Sequence, residues 1–279
     1  MLDNLQKRIF TALLIYPSIV LIILYSNDVI IRLFLNIIIF LASFEISKMC
    51  FYNIQLEKGK RKHYYFIASI FISIFIANIL IKNNAWLFLI ITSSILWVLI
   101  PIHLYNIKKI NKIDEFNIFY FLIFLLLISS LYCSLYITYI YSQKALIFLI
   151  SIVALADISA FFIGKRFGKR KFFSIISPNK TTEGFIGSIT ICLIASFIFC
   201  LSENYNFLFT IKILSITFFV VLISAFGDLF ISLIKRHSGN KDTGNILPGH
   251  GGILDRIDSL LAAAPIFLIF SYFLSAIIQ

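Results

Sequence analysis

Charged residues are scarce in this sequence, since Asp, Glu, Lys and Arg together make up 13% of its 279 residues. Soluble globular domains contain about 25%. Hydrophobic residues make up 60% and the mean hydropathy is +0.98. Several apolar runs reach the roughly 20 residues that cross a bilayer as a helix. The shortage of charge therefore excludes a soluble helical bundle and predicts an all-α polytopic membrane protein.

Cysteine is also sparse, and the four cysteines show no CxxC spacing. Cys50, Cys133, Cys192 and Cys200 lie in or beside apolar runs, and we interpret them as reduced packing residues rather than a zinc site or a disulfide framework. The phosphate-binding patterns GxxxxGK[ST] and GxGxxG are absent. Neither a P-loop nor a Rossmann site is therefore indicated.

The apolar runs predict about nine transmembrane helices. Their predicted limits are 9–25, 29–51, 64–81, 85–105, 116–141, 145–164, 183–202, 207–234 and 253–278. The first run follows Lys7 and Arg8 without a small-residue cleavage site, so we expect an uncleaved first span. We expect residues 1–144 to form a scaffold of low motif content, and residues 145–279 to form a catalytic half with two polar loops.

The basic residues are distributed unevenly between the predicted loops. Eighteen of the 24 Lys and Arg residues fall in the amino-terminal segment and loops of one side, Lys82 and Lys144 fall on the other side, and four lie within spans. By the positive-inside rule, the amino terminus is cytoplasmic and the carboxyl terminus is outside. This topology, with attraction to anionic membrane lipids, accounts for the net charge of +11, so we expect no nucleic-acid binding.

Four aspartates in the second half are predicted to meet at one depth. Asp157 and Asp228 lie eight and seven residues before the next basic residue, which is about 10 to 12 Å along a helix. Asp258 enters the last span to a similar depth, with Asp255 on the same helical face. Clustered carboxylates repel unless cations hold them, and oxygen ligands indicate Mg²⁺. The residues do not decide between one cation and two. For any single aspartate, a salt bridge is the alternative to metal binding.

Basic residues and glycines predict a phosphate site beside these carboxylates. They lie in two cytoplasmic loops, 165–181 and 235–252, and at the start of the last span. The basic set is Lys180, Lys235, Arg236, Lys241 and Arg256. Glycines such as Gly251 and Gly252 let backbone amides approach an anion. Carboxylates, cations and glycines together indicate phosphoryl or nucleotidyl transfer, although turn formation alone explains the Pro-Gly pair equally well.

Other polar residues of these loops have two interpretations. His250 is either a substrate contact or a satisfied loop histidine. Ser177, Thr181 and Thr182 are candidates to cap the seventh span, with Thr182 as the expected N-cap and Glu183 in its first turn. Ser177, Lys180 and Glu183 are equally suited to binding a nucleotide or a metal ion.

The second predicted span contains a pair of charged residues, which is unusual in the apolar first half of the chain. Glu45 and Lys48 are three residues apart and share one helical face. We interpret them as a structural ion pair or as snorkelling side chains, in preference to a direct role in the site. A lateral contact with lipid headgroups is the remaining alternative.

The stretch SLIKRHSGNKDTGNILPGHGGILDRID, residues 232–258, resembles the signature of the phosphatidate cytidylyltransferases, the CDP-diacylglycerol synthases. Every fixed position of that signature is filled. The upstream stretches DISAFFIGKRFG at 157–168 and SPNKTTEG at 177–184 agree with it, as does GDL at 227–229. The resemblance covers about residues 150–265, and the first half matches mainly in hydropathy.

Three positions depart from the pattern of that family. Ile231 stands where a glutamate is common, Asn240 where an apolar residue is usual, and Lys165 where arginine is common. These changes are expected to alter metal affinity or loop packing, because lysine cannot reproduce the planar fork of arginine. The aspartates are unaffected.

The resemblance implies that CTP and phosphatidate react to give CDP-diacylglycerol and pyrophosphate for phospholipid biosynthesis. It also implies Mg²⁺ as cofactor, a homodimer, and a bacterial inner-membrane enzyme among membrane lipids with its site facing the cytoplasm. We assign metal binding to Asp157, Asp228, Asp255 and Asp258. We assign catalysis to Asp228, Asp255, Asp258 and Lys241. Substrate binding is assigned to Ser177, Lys180, Lys235, Arg236, His250, Gly251, Gly252 and Arg256.

Two rival functions are weighed against this one. A CDP-alcohol phosphotransferase also uses membrane aspartates and magnesium, but its longer pattern of four aspartates is absent and only a DxxD fragment is present. An ion-coupled transporter using Asp157 and Asp228 is the other rival. Such a transporter more naturally shows two similar halves, whereas the polar residues here lie in one half.

Overall fold

The structure is a computed structural model that describes residues 16–50, 57–107, 118–239, 242–244 and 251–275, without the side chains of 48, 50, 57–63, 65 and 118–121. The described chain folds almost entirely into helices, which confirms the predicted all-α class. The helices are α1 Tyr16–Tyr25, α2 Asp28–Cys50, α3 Glu57–Lys82, α4 Trp86–Tyr105, α5 Ile118–Tyr141, α6 Gln143–Phe167, α7 Thr182–Ser202, α8 Phe207–His237 and α9 Leu254–Phe273.

The helices of the described residues lie where the nine spans were predicted. Seven of them, α2 and α4 to α9, are long and apolar enough to cross a membrane by length and composition. The helix α1 and the apolar part of α3, Phe66–Lys82, are shorter within the described residues. These helices confirm a polytopic membrane fold, and the orientation of the termini stays a prediction.

Several helix ends differ from the predicted limits, among them the start of α3 and both ends of α6. Three further ends have an evident local cause. The N-cap of α7 is Thr181 and not Thr182, because the Thr181 hydroxyl accepts the N–H of Gly184 at 3.2 Å. Helix α8 continues to His237, since basic residues in its last turn stabilise the negative end of the helix. Helix α9 ends at Phe273 rather than 278, and nearby Ser275 has a positive φ of 47° that no helix can continue.

Helix α9 is central to the packing of the bundle. It packs against α8 most extensively and also against α2, α4, α5 and α6. Ala262, Ala263 and Ala264 of α9 are fully buried, and small side chains allow helices to approach closely in membranes. One hydrophobic core therefore joins the two parts of the chain that were predicted to divide at residue 144, and that division stays a prediction about motif content.

The cysteines pack in the interior. Cys133, Cys192 and Cys200 are buried and free of disulfide bonds. This confirms the predicted packing role for these three residues. Cys50 lies outside the described side chains.

Candidate functional site

Three of the four predicted aspartates come together between α6, α8 and α9. Asp157 of α6, Asp228 of α8 and Asp258 of α9 lie within electrostatic range of one another. Ser259 connects two of them, since its hydroxyl donates to Asp157 at 3.2 Å and its backbone N–H donates to Asp258 at 2.8 Å. We call these three aspartates the carboxylate cluster. The prediction that three helices bring carboxylates to one level is confirmed for this set.

The three aspartates of the carboxylate cluster differ in solvent exposure. Asp258 is 7% exposed, the side chain of Asp228 is 28% exposed, and Asp157 is exposed. A purely structural set of buried ion pairs would be closed on every side. Asp157 is therefore the most accessible of the three side chains, and Asp258 is the least.

Lys180 reaches the carboxylate cluster from the loop between α6 and α7. Its Nζ lies 2.7 Å from Asp228 Oδ2 and donates to the carbonyl of Ala225 at 3.3 Å. Ser232 donates to the other oxygen of Asp228 at 3.2 Å. The Lys180 side chain is 26% exposed, so an entering phosphate can compete with the carboxylate for its ammonium group.

Four phenylalanines hold the loop that carries Lys180. Phe172 stacks on Phe185 with ring centroids 4.8 Å apart, and Phe173 meets Phe226 edge to face at 6.0 Å. The N–H of Phe172 also donates to the carbonyl of Lys180 at 2.9 Å. Because Phe226 lies on the same turn of α8 as the aspartate of the cluster, these rings fix the lysine opposite its partner.

Glu183 closes the base of the same loop. Its carboxylate accepts the backbone N–H groups of Lys169 at 2.9 Å and Arg170 at 3.1 Å. Ser177 lies in the loop, where its carbonyl accepts the N–H of Lys180 at 3.3 Å. These contacts support a loop-closing role for Glu183, and nucleotide or metal binding by these residues stays a prediction.

The fourth aspartate, Asp255, has a different environment. Its Oδ1 lies 2.8 Å from the Nζ of Lys235, and the two side chains are only 10% and 12% exposed. Its Oδ2 accepts the N–H of Thr243 at 3.0 Å and that of Gly252 at 3.1 Å. The Asp255 carboxylate is thus well supplied with donors and joins the end of α8 to the start of α9. Its role as a metal ligand stays a prediction, and the geometry supports a role in holding the loop.

Glu45 of α2 borders this loop, and the sequence did not indicate its contacts. It is 2% exposed, and it accepts the N–H groups of Ile253 and Leu254 at 2.9 Å each. The Thr243 hydroxyl lies 3.0 Å from both Glu45 and Asp255 and can donate to either. The snorkelling and headgroup interpretations are wrong, because the carboxylate is buried among protein donors. The side chain of Lys48 lies outside the described residues.

For the remaining predicted site residues, the structure gives position and exposure rather than specific contacts. Arg256 is exposed in the first turn of α9 and lies within electrostatic range of the carboxylate cluster. Arg236 is half-buried in the last turn of α8. Gly251 has a φ of +80°, a backbone conformation that favours glycine. Lys241 and His250 lie outside the described residues.

The described residues contain no group of three or more His, Cys, Asp or Glu side chains arranged to hold a metal ion on their own. The donor chemistry nevertheless suits a hard cation, since the carboxylate cluster offers oxygen ligands alone. Mg²⁺ usually binds through one or two carboxylates together with waters and substrate phosphates. The cluster therefore fits a cation shared with a phosphate ligand, and Mg²⁺ stays a prediction.

Comparisons with known proteins add independent information about the chain. A family model described as "Cytidylyltransferase family" matches residues 6–274. The phosphatidate cytidylyltransferase of Bacillus subtilis is 50% identical over 121 residues, 43% of each chain. That of Haemophilus influenzae is 43% identical over 134 residues, 46% of each chain. That of Staphylococcus saprophyticus is 38% identical over 145 residues, 50% of this chain and 55% of the relative. The chain spans about half the length of the curated relatives it matches.

Proposed function

This chain belongs to the cytidylyltransferase family, and from that membership we propose that it transfers a cytidylyl group from CTP to phosphatidate. The products are CDP-diacylglycerol, for phospholipid biosynthesis, and pyrophosphate. The observation that carries the proposal is the partly exposed pair of Lys180 and Asp228 beside Asp157 and Asp258, because it offers both signs of charge to a metal-bound phosphate. The names of the relatives support phosphatidate as the acceptor.

The proposed reaction is an in-line displacement at phosphorus. An oxygen of the lipid phosphate forms a bond to the α-phosphorus of CTP, and the bond from that phosphorus to the bridging oxygen breaks to release pyrophosphate. The lipid phosphate has a second pKa of about 6, so it is largely ionised at pH 7 and needs no strong base to remove a proton before it attacks. The task of the protein is positioning and charge neutralisation.

The residues divide that task between them. Lys180 exchanges its carboxylate partner for a phosphate oxygen, and Arg256 adds positive charge near Asp157. Asp228 and Asp258 would hold Mg²⁺, with Asp157 as a further ligand or as the partner of Ser259. The ion, when bound, supplies neutralisation of phosphate oxygens.

We propose further that the site faces the cytoplasm across a bacterial inner membrane. Glu45 near the end of α2 contacts the start of α9, so the end of α2 and the loop between α8 and α9 share one face of the bundle. The basic residues predict that this face is cytoplasmic, where CTP is found. A homodimer remains a proposal that the family resemblance alone carries.

The test of the function is pyrophosphate release by the purified protein in detergent, given CTP, phosphatidate and Mg²⁺ and with each omitted in turn. We expect release to require all three, with CDP-diacylglycerol as the lipid product. Transfer from a CDP-lipid to an alcohol would favour the phosphotransferase instead. Absence of any nucleotide-dependent reaction in folded protein would overturn the proposal and favour transport.

Substitution of Gly227 by alanine is expected to lower the rate of pyrophosphate release about tenfold to a hundredfold. A Cβ at Gly227 would lie 2.6 Å from the carbonyl oxygen of Asp258, so α8 and α9 must separate and carry Asp228 away from Asp258. Steady-state rates and melting temperatures of the purified variant provide the measurement.

The matched control for this substitution is Gly187→Ala on α7. A Cβ there would meet Cδ1, Cγ2 and Cβ of Ile163 at 2.4, 2.8 and 3.2 Å, so a clash of similar size separates α7 from α6 rather than α8 from α9. We expect a loss of stability with a change in rate of less than about twofold. Full activity of Gly227→Ala would show that the reaction tolerates a wider spacing of α8 and α9.

A further inference from the structure

The amino-terminal end of α9 lacks a side-chain cap of its own. Ile253 occupies the N-cap position and makes no side-chain hydrogen bond to the helix. The first backbone N–H groups of a helix have no partner within the helix and need acceptors. Glu45 of α2 provides them for Ile253 and Leu254, at 2.9 Å in each case. Helix α9 is therefore capped by a residue more than 200 positions earlier in the chain.

The electrostatics of this contact are favourable despite the burial of Glu45. A carboxylate at the amino-terminal end of a helix interacts with the partial positive charge there. Its hydrogen bonds from backbone N–H groups are charge-assisted and stronger than neutral ones. A buried carboxylate with these donors holds its position well, whereas one without them would be costly.

Two glycines of the loop make room for the Glu45 carboxylate. The three atoms nearest to a Cβ at Gly244 would all belong to Glu45, at 2.7, 3.0 and 3.1 Å. A Cβ at Gly252 would lie 2.0 Å from Thr243 Oγ1 and 2.3 Å from Glu45 Oε2. The positive-φ glycines of the described residues are Gly239 and Gly251, so backbone conformation does not require glycine at 244 or 252. The close approach of Glu45 requires it at 244, and that of Glu45 together with the Thr243 hydroxyl requires it at 252.

We propose that Glu45 is a positioning residue that sets the loop and the first turn of α9 against the carboxylate cluster. This end of α9 carries Arg256 in its first turn and Asp258 directly after it, and the same network includes Asp255 through Thr243. A displacement of this turn would move those groups relative to the nucleotide, and misplacement by about 1 Å can cost a hundredfold in rate. The inference rests on the proposed function and extends it to a residue in the half of the chain predicted to be a scaffold.

The first test compares Glu45→Ala and Glu45→Gln with the control Glu203→Gln. Glu203 pairs with Lys144 at the opposite end of the bundle. We expect both Glu45 variants to lower kcat/KM for CTP about tenfold to a hundredfold, with most of the loss in kcat. Glutamine has nearly the same shape as glutamate, so a pure packing role predicts that Glu45→Gln keeps wild-type activity. A capping role predicts that it does not, because the amide group adds N–H donors where three donors already converge. Wild-type kcat/KM in Glu45→Gln would overturn the proposal.

A double-mutant cycle with Gly244→Ala tests the contact directly. In the wild-type background the added methyl group meets Glu45, and we expect kcat/KM to fall about tenfold. In the Glu45→Ala background the methyl group has space, and we expect a further change of less than about twofold. Additive effects of the two substitutions would show that the loop does not rest on Glu45.

Amide hydrogen exchange separates this inference from the proposed reaction. Without substrate, we expect the amides of Ile253 and Leu254 to exchange at least about tenfold faster in Glu45→Ala than in wild type. Faster exchange in a protein that performs no cytidylyl transfer would overturn the proposed function and retain the capping of α9. Unchanged exchange would overturn the positioning role whatever reaction the protein performs.

Discussion

Asp228→Asn is expected to lower kcat/KM for cytidylyl transfer about a thousandfold while leaving the fold intact. Asparagine keeps the size of the side chain and an acceptor for Ser232. It loses the negative charge that lies 2.7 Å from Lys180 and that would hold Mg²⁺. The measurement is the rate of pyrophosphate release over a range of CTP concentrations, together with the melting temperature in detergent.

Asp28→Asn is the matched control for this substitution. Asp28 accepts a hydrogen bond from Tyr136 at 2.6 Å and pairs with Arg32 at 3.0 Å. It lies on the same helix as Glu45 but about 25 Å away along the axis. We expect its substitution to change kcat/KM less than about twofold. Near-normal activity in folded Asp228→Asn would mean that the reaction does not use this carboxylate.

The helices could be predicted from the sequence because the bilayer leaves the chain few alternatives. Within a membrane every backbone polar group must be satisfied internally, so a long apolar run becomes a helix. The limits of α4 and α7 were predicted to within one residue. The end of α9 was not, because the positive φ of Ser275 has no compositional signal and apolar residues continue beyond it.

The carboxylate cluster was partly predictable and its neighbours were not. Equal depth along three helices brought Asp157, Asp228 and Asp258 together, since depth can be counted along the sequence. Helical spacing also grouped Asp255 with them, but spacing does not indicate which side chain an aspartate pairs with. The lysine that pairs with Asp255 lies on another helix, and the hydroxyl that bridges to Glu45 is 198 residues from it. A buried acid in an apolar run was the one available signal for Glu45.

The two ion pairs of the site are expected to differ in what they stabilise. The pair of Lys180 and Asp228 is about a quarter exposed, whereas the pair of Lys235 and Asp255 is nearly buried. An accessible pair contributes little to stability and can exchange partners. A buried pair is costly to break from one side, because the remaining charge is left without compensation.

Asp255→Ala is accordingly expected to lower the free energy of unfolding by about 3 kcal/mol or more. The substitution strands Lys235 and removes the acceptor of the Thr243 and Gly252 N–H groups. The measurement is reversible unfolding by SDS titration in mixed micelles, with Asp228→Asn beside it as the variant expected to change stability by less than about 1 kcal/mol.

The double variant Lys235→Met with Asp255→Ala distinguishes support of the loop from metal binding. Removing both charges eliminates the stranded ammonium, so we expect the double variant to be more stable than Asp255→Ala alone. Stability is then recovered only in part, because the two backbone N–H groups still lack their acceptor. If Asp255→Ala instead unfolded like the wild type and lost only activity, Asp255 would be acting on the substrate or its cation rather than holding the loop.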